Sequence, residues 1–264
     1  MAIRRTKKKN SFKGKKSPST NSTKKGKKDR LQRYNLLEAL RQKDYKRSIA
    51  LFFLYYFVAT FTWVLALRFI NPPITYLMIH RAFERKAEGK TFKIEKSWLN
   101  YGELSDNLKR AAIAGEDARF LVHHGFDTKA IQDAYKRNQQ GKSVRGGSTI
   151  SQQTAKNVFL WPGRSWFRKG FEVYFTVLIE LLWSKQRILE VYLNVIEMGD
   201  GLYGAEAAAK NYFNKSGKSL TQRQAALIIA VLPNPRRWSP EKPTAFINRK
   251  ASTIVRYMKY TKIP

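Results

Sequence analysis

Nineteen consecutive residues without a charge constrain this chain more than any other feature. Ile49 to Leu67 reads Ile-Ala-Leu-Phe-Phe-Leu-Tyr-Tyr-Phe-Val-Ala-Thr-Phe-Thr-Trp-Val-Leu-Ala-Leu. Coiled as an α-helix, such a run is roughly 28 Å long, close to the hydrocarbon thickness of a bilayer. A cleavable signal peptide has a shorter apolar region and a small-residue cleavage site, and this run matches neither. A buried core helix would not carry aromatics on every face. The run is therefore expected to be an uncleaved signal anchor. Lys46 and Arg47 stand before it and Arg68 after it, behind a strongly basic N-terminal stretch. That excess predicts a cytoplasmic N-terminus and an extracytoplasmic remainder. Asn71-Pro72-Pro73 should end the helix.

The anchor divides the chain into a basic tail (1–48), the membrane segment (49–70) and one domain (71–264). The tail, rich in Lys, Ser, Thr, Asn and Gly up to Lys28, is expected to be largely disordered, with an amphipathic helix over Leu31 to Arg47. The net charge of +32 points to a polyanion: anionic lipid, a phosphate-bearing substrate or nucleic acid. Nucleic acid is the weakest of the three for a chain with a membrane segment, and a solvated charge run is the plain alternative for the tail. The chain has no cysteine, which excludes disulfides and thiolate metal sites, and 3 histidines, too few for a histidine-rich metal site.

The domain reads as mainly α, with few credible strands. Phe83 to Leu104 looks extended. Helices are expected at Asn107 to Asp117, Thr128 to Gln140, Phe171 to Trp183 (a central buried helix), Lys185 to Met198 (stopped by Gly199 or Gly201), Gly204 to Phe213, Thr221 to Leu232 and Phe246 to Tyr260. Gln139 to Gly147 should be a mobile connection. Trp161, Trp166 and Phe167 are candidate interfacial anchors.

Polar side chains concentrate between Gly146 and Glu172. Gly146 and Gly147 allow close backbone approach, and Ser148 or Thr149 can cap the helix that follows. Gln152 and Lys156 share a helix face, as do Gln153 and Asn157. Arg168 and Lys169 come one turn before Glu172. An i,i+4 pair with the cation first is the weaker orientation, so an anion site explains Arg168, Lys169 and Glu172 better than a simple surface pair. Upstream, Glu116 sits near a helix end, beside Asp117, Phe120 and His123. Partial desolvation there would raise its pKa and suit it to general acid or base work, although a lone Glu is more often a surface charge. Asp117 is expected to position the loop, and His123 is more often structural at such a site. Tyr192, Asn194 and Glu197 are either helix surface or cleft lining. Two carboxylates with several cations suggest chemistry at a sugar. A phosphate leaving group needs positive charge rather than an acid, which favours transfer from a phosphate-linked sugar.

These residues resemble the peptidoglycan glycosyltransferases. Glu116-Asp117-x-x-Phe120-x-x-His123-x-Gly125 is similar to the family's first signature. Gly146-Gly147-Ser148-Thr149-Ile150-x-Gln152-Gln153-x-x-Lys156-Asn157 is similar to the second, and Arg168-Lys169-x-x-Glu172 to the third. Lys185-x-x-Ile188-Leu189-Glu190-x-Tyr192-Leu193-Asn194 with Gly199-x-Gly201-x-x-Gly204 resembles the fourth. Ala225-Ala226-Leu227 through Leu232-Pro233-x-Pro235-x-x-x-Ser239-Pro240 resembles the fifth. Within the family the monofunctional members are the nearer match. Asn214 departs from the usual Gly after Tyr212-Phe213, outside the expected catalytic residues.

The resemblance implies a lysozyme-like, two-lobed fold, head and jaw, on one N-terminal transmembrane helix in the bacterial plasma (inner) membrane, with the catalytic domain periplasmic or extracytoplasmic. It implies polymerisation of lipid II into β-1,4-linked glycan, with lipid II and the lipid-linked growing strand as substrates and cell-wall synthesis or division proteins as candidate partners. No transpeptidase step is expected from a chain without the several hundred further residues of the bifunctional enzymes. By analogy Glu116 is the base and Glu172 a second essential carboxylate. Lys156, Arg168 and Lys169 would hold pyrophosphate, and Thr149, Gln153 and Asn157 would bind sugar or phosphate. Asp117, Phe120 and His123 join the substrate-binding candidates through the first signature. The resemblance allows a divalent cation, Mg or Mn, at the pyrophosphate, but the sequence writes no ligand set for it. The rivals are a muramidase or lytic transglycosylase on a similar fold, and a non-catalytic membrane scaffold using its basic tail.

Overall fold

A computed structural model describes residues 44–139, 147–163 and 165–264. The expected tail helix lies almost wholly outside these residues, as does most of the connection expected to be mobile. The chain divides into two units, the first ending at Thr60 and the second comprising Phe61–Pro264.

Helix α1 (Tyr45–Leu67) is long and apolar enough to cross a membrane, with a mean hydropathy of 2.0. Its last turns, which belong to the second unit, are built into that unit. Val64 is fully buried, and Trp63 meets Phe159 edge to face at 5.1 Å. A helix C-terminus leaves carbonyls unpaired. Here Trp183 Nε1 donates to Val64 O at 2.8 Å, and Arg187 donates to Leu67 O and Ile70 O, each at 2.9 Å.

Helix α2 (Tyr76–Ala87) corrects the sequence reading, which leaves Phe83 to Leu104 extended. Thr75 caps it, and its buried stripe is Met78, Ala82 and Arg85. Those positions have helical spacing, but an arginine and a small alanine hide the stripe from hydrophobicity. Arg85 is buried because its guanidinium meets Asp200 and Thr91 O. Beyond α2, β1 (Glu95–Lys96) runs parallel to β3 (Leu202–Tyr203), which pairs antiparallel with β2 (Glu197–Gly199).

Two helix groups share one apolar core. In the first, α3 (Asp106–Glu116) packs on α9 (Gln222–Val231) and α10 (Ala245–Met258). Contact is close because Gly115 faces Ile229 and Ile254. In the second, α5 (Ile150–Phe159) packs on α6 (Trp166–Leu182) and α7 (Lys185–Val195). Phe159 and Phe175 stack there at 4.6 Å. Helices α4 (Thr128–Gln139) and α8 (Ala205–Phe213) complete the set with a short 3-10 turn at Gly217–Ser219. The fold is mainly α and lysozyme-like, as expected.

Two further helices differ from expectation. Helix α7 stops at Val195 rather than Met198, because Glu197–Gly199 joins the sheet. Gly204, at φ +83°, lies so near the Asn194 backbone that a Cβ would come within 2.7 Å of its carbonyl oxygen. Helix α6 starts at Trp166 and is not buried all round. Glu172, Phe175, Thr176 and Ile179 face inward, whereas Val177 and Leu181 are exposed.

Candidate active site

The residues singled out around Glu116 and Glu172 come from α3, α5 and α6, joined by a tightly bonded loop. Thr149 is the N-cap of α5 and forms a reciprocal capping box with Gln152, so both side chains serve the helix start. Thr149 Oγ1 also donates to Gly125 O at 2.6 Å. Asp117, at the C-terminal end of α3, accepts from Ile150 N at 3.0 Å and faces His123 Nε2 at 2.9 Å. His123 Nδ1 accepts from Gly125 N at 3.1 Å, so its proton belongs on Nε2, pointing at Asp117. Gly125 has φ +88°, and a Cβ there would reach Thr176 at 2.8 Å. Asp117, Phe120, His123 and Thr149 are thus buried within the protein, fastening the end of α3 to the start of α5.

That fastening fixes Glu116. Gln153 Nε2 donates to its Oε2 at 3.1 Å, and Lys250 Nζ from α10 stands 3.9 Å from its Oε1. Burial raises the Glu116 pKa above the ordinary carboxylate value; Lys250, the Gln153 bond and Lys156 pull it down, and Asp117 adds to the rise. A carboxylate so placed accepts a proton more readily than one in water.

The second centre is the start of α6. Ser165 caps the helix. Glu172 is buried; Lys169 bonds its Oε1, and Arg168 lies 3.8 Å from its Oε2. Arg168 Nε also donates to Trp161 O at 2.6 Å. Asn157 is buried and donates to Gln153 O at 2.7 Å.

Lys156 connects the two centres. Burial lowers the pKa of its ammonium, Arg168 and Lys169 lower it further, and both Glu172 and Glu116 act against that. One side chain therefore lies within the electrostatic reach of both carboxylates and both neighbouring cations. Glu116, Gln153, Lys156, Arg168, Lys169 and Glu172 form one constellation. Asp117, Phe120, His123 and Thr149 support it from beneath.

Sequence reasoning missed two members. Lys250 reads as part of the basic outer face of the last helix, and no local motif marks it. Tyr192, which the sequence leaves between helix surface and cleft lining, is fully buried, and its hydroxyl donates to Gln153 Oε1 at 3.3 Å. As for a metal, no group of three His, Asp or Glu side chains that could hold one occurs among the described residues. Glu172, the carboxylate nearest the cations, is already engaged by Lys169 and Arg168. The described side chains therefore offer no ready ligand set for a protein-held divalent cation.

A family model described as Transglycosylase matches residues 85–259. The biosynthetic peptidoglycan transglycosylase of Pseudomonas fluorescens (strain SBW25) is 51% identical over 201 residues, covering 76% of this chain and 84% of that relative. Its counterpart in Ectopseudomonas mendocina (strain ymp) is 53% identical over 195 residues, covering 74% and 81%. That in Stutzerimonas stutzeri (strain A1501) is 52% identical over 196 residues, covering 74% and 81%. The chain belongs to the transglycosylase family and is a peptidoglycan glycosyltransferase.

Proposed function

We propose that the chain polymerises lipid II, and that Glu116 is the general base. In this reading Glu116 takes the proton from the 4-hydroxyl of the acceptor GlcNAc. That oxygen attacks C1 of the donor MurNAc from the face opposite the lipid pyrophosphate, so configuration inverts to β. The C1–O4 bond forms as the C1–O–P bond breaks, and the electron pair leaves on the phosphate oxygen. Lys156, Arg168 and Lys169 receive that charge, so the leaving group needs no acid. Glu172 holds Lys169 and Arg168 in place on α6, while Gln153 and Asn157 serve the sugar from α5, the helix of Lys156. Asp117, Phe120, His123 and Thr149 position the site from below. A divalent cation, if one takes part, would be carried by the phosphate oxygens; the charge-stabilising role rests on the three cations.

The observation that supports this reading is Lys156, half-buried on α5 and in the field of both carboxylates. Its interactions with Glu116, Glu172, Arg168 and Lys169 support a single site for the proposed base and the proposed anion-stabilising groups. Purified full-length chain given lipid II should make glycan polymer and release polyprenyl pyrophosphate without clearing cell-wall suspensions. Wall clearing with no polymer would instead identify a glycan-cleaving enzyme.

We also place the N-terminus in the cytoplasm and the catalytic unit outside, from Lys46, Arg47 and the basic stretch before the apolar helix. In intact cells an impermeant maleimide should label a cysteine introduced at Lys262 but not one at Ser19; the reverse pattern would invert the topology.

A further inference from the structure

The base does not stand alone: a chain of two hydrogen bonds runs from it into the core. Gln153 Nε2 donates to Glu116 Oε2 at 3.1 Å, and Gln153 Oε1 accepts from Tyr192 OH at 3.3 Å. An amide has a donor end and an acceptor end, and turning it over exchanges them. Which end faces Glu116 therefore matters. With the NH2 toward the carboxylate, the bond favours the ionised, proton-accepting form. With the oxygen toward it, only a protonated Glu116 can bond.

We infer that Tyr192 is a positioning residue for the base, because its hydroxyl fixes which end of the Gln153 amide faces Glu116. The inference rests on the reading of Glu116 as the base. Tyr192 lies on α7 and is fully buried. Burial, together with Glu116 and Asp117, holds its phenol far above the ordinary tyrosine pKa, so it stays a neutral donor at working pH. Gln153 Oε1 is the acceptor for its proton. Reversing the amide would set Nε2 against the hydroxyl and strand that buried proton, at a cost comparable to leaving a polar group unpaired.

The other groups acting on Glu116 do not orient the amide. Lys250 approaches the opposite carboxylate oxygen from α10, and Lys156 acts from α5 by charge. Asp117 follows on the same strand of chain and raises the carboxylate. From α9 the nearest side chain at this end of α3 is the apolar Ile229, opposite Gly115. Tyr192 alone among these acts through Gln153.

The test is Tyr192→Phe, which removes one oxygen and keeps the ring. Its pH profile of kcat/KM for lipid II polymerisation is compared with wild type, alongside 13C titration of the Glu116 carboxyl, assigned with Glu116→Gln. At the foot of the acid limb the variant should lose roughly three- to tenfold in kcat/KM, while its plateau stays within about twofold. The Glu116 titration should move to higher pH in step. If Tyr192→Phe does not fold, 3-fluorotyrosine at 192, a stronger donor of nearly the same shape, should move both to lower pH. An unmoved carboxyl titration, whatever the rate does, overturns the inference and leaves Tyr192 as packing. A shifted titration with an unmoved limb upholds the inference and instead removes Glu116 as the base.

Discussion

Glu116 carries a cost that the fold does not need. Its pKa in the folded state is raised by burial, so the folded chain holds that proton more tightly than the unfolded chain does. The stabilising contribution is complete below the unfolded carboxylate pKa and disappears as pH rises through the folded value. At neutral pH the ionised group is therefore a liability to stability, which the proposed role as base would explain. Glu116→Gln keeps an oxygen to accept from Gln153 and removes the charge. It should lower polymerisation by about 10²–10⁴-fold while lipid II still binds. It should also raise Tm at pH 8, roughly 2–4 °C for each kcal/mol recovered, with the gain shrinking toward pH 4. Thermal melts across pH check this, and a variant less stable at pH 8 than wild type would contradict it. At this scale the sequence revealed residues held close along the chain, such as Glu116 with Asp117 or Arg168 with Glu172. Lys250 escaped because it reaches Glu116 across a helix packing, from a distant position in the chain. Gln152, which by spacing shares a face with Lys156, turns its side chain back to close a capping box.

Among the elements, those with a regular apolar face were legible, even where the start was not. Thr149 and Thr221 cap the helices that follow, as read, whereas the Ser165 cap went unread, and α6 starts at Trp166 rather than at the expected Phe171. Helix α2 was not legible, because its inward stripe contains Arg85 and is completed by Asp200, far along the chain. Nor did the apolar run show that its C-terminal end is capped by a different helix. Trp183, buried just after α6, supplies its indole N–H to Val64 O, and α6 carries Glu172. The end of α1 and the helix that carries Glu172 are thus fastened directly. Trp183→Phe keeps an aromatic ring beside Phe159 but leaves that carbonyl without its donor. The expected destabilisation is about 1–3 kcal/mol, read as a lowered Tm in detergent. An unchanged Tm would mean that the carbonyl finds another partner.

For the whole molecule, substrate and enzyme share one amphiphilic problem. Lipid-linked substrates are confined to a bilayer, and a tethered enzyme meets them in two dimensions, at raised effective concentration. The start of α6 matches such a substrate chemically. Its first turn exposes Trp166 (92%) and Phe167 (71%), and the next two residues are Arg168 and Lys169. Phe167 and Phe171 meet edge to face at 4.9 Å, with Trp161 5.8 Å from Phe171, so these three rings form one apolar cluster beside Trp166. Aromatics of this kind favour the boundary between headgroups and chains. There they would hold the neighbouring cations at pyrophosphate depth. Burying two such rings is worth roughly 3–6 kcal/mol by area, before the cost of ordering them. The double variant Trp166→Ser/Phe167→Ser should therefore lose about tenfold or more in polymerisation of long-chain lipid II in vesicles. On a water-soluble short-chain analogue it should stay near wild type, because the cations and both carboxylates are untouched. Equal losses on both substrates would place these rings in the catalytic cleft rather than at the lipid surface, and no loss on either would leave the exposed face without a membrane role.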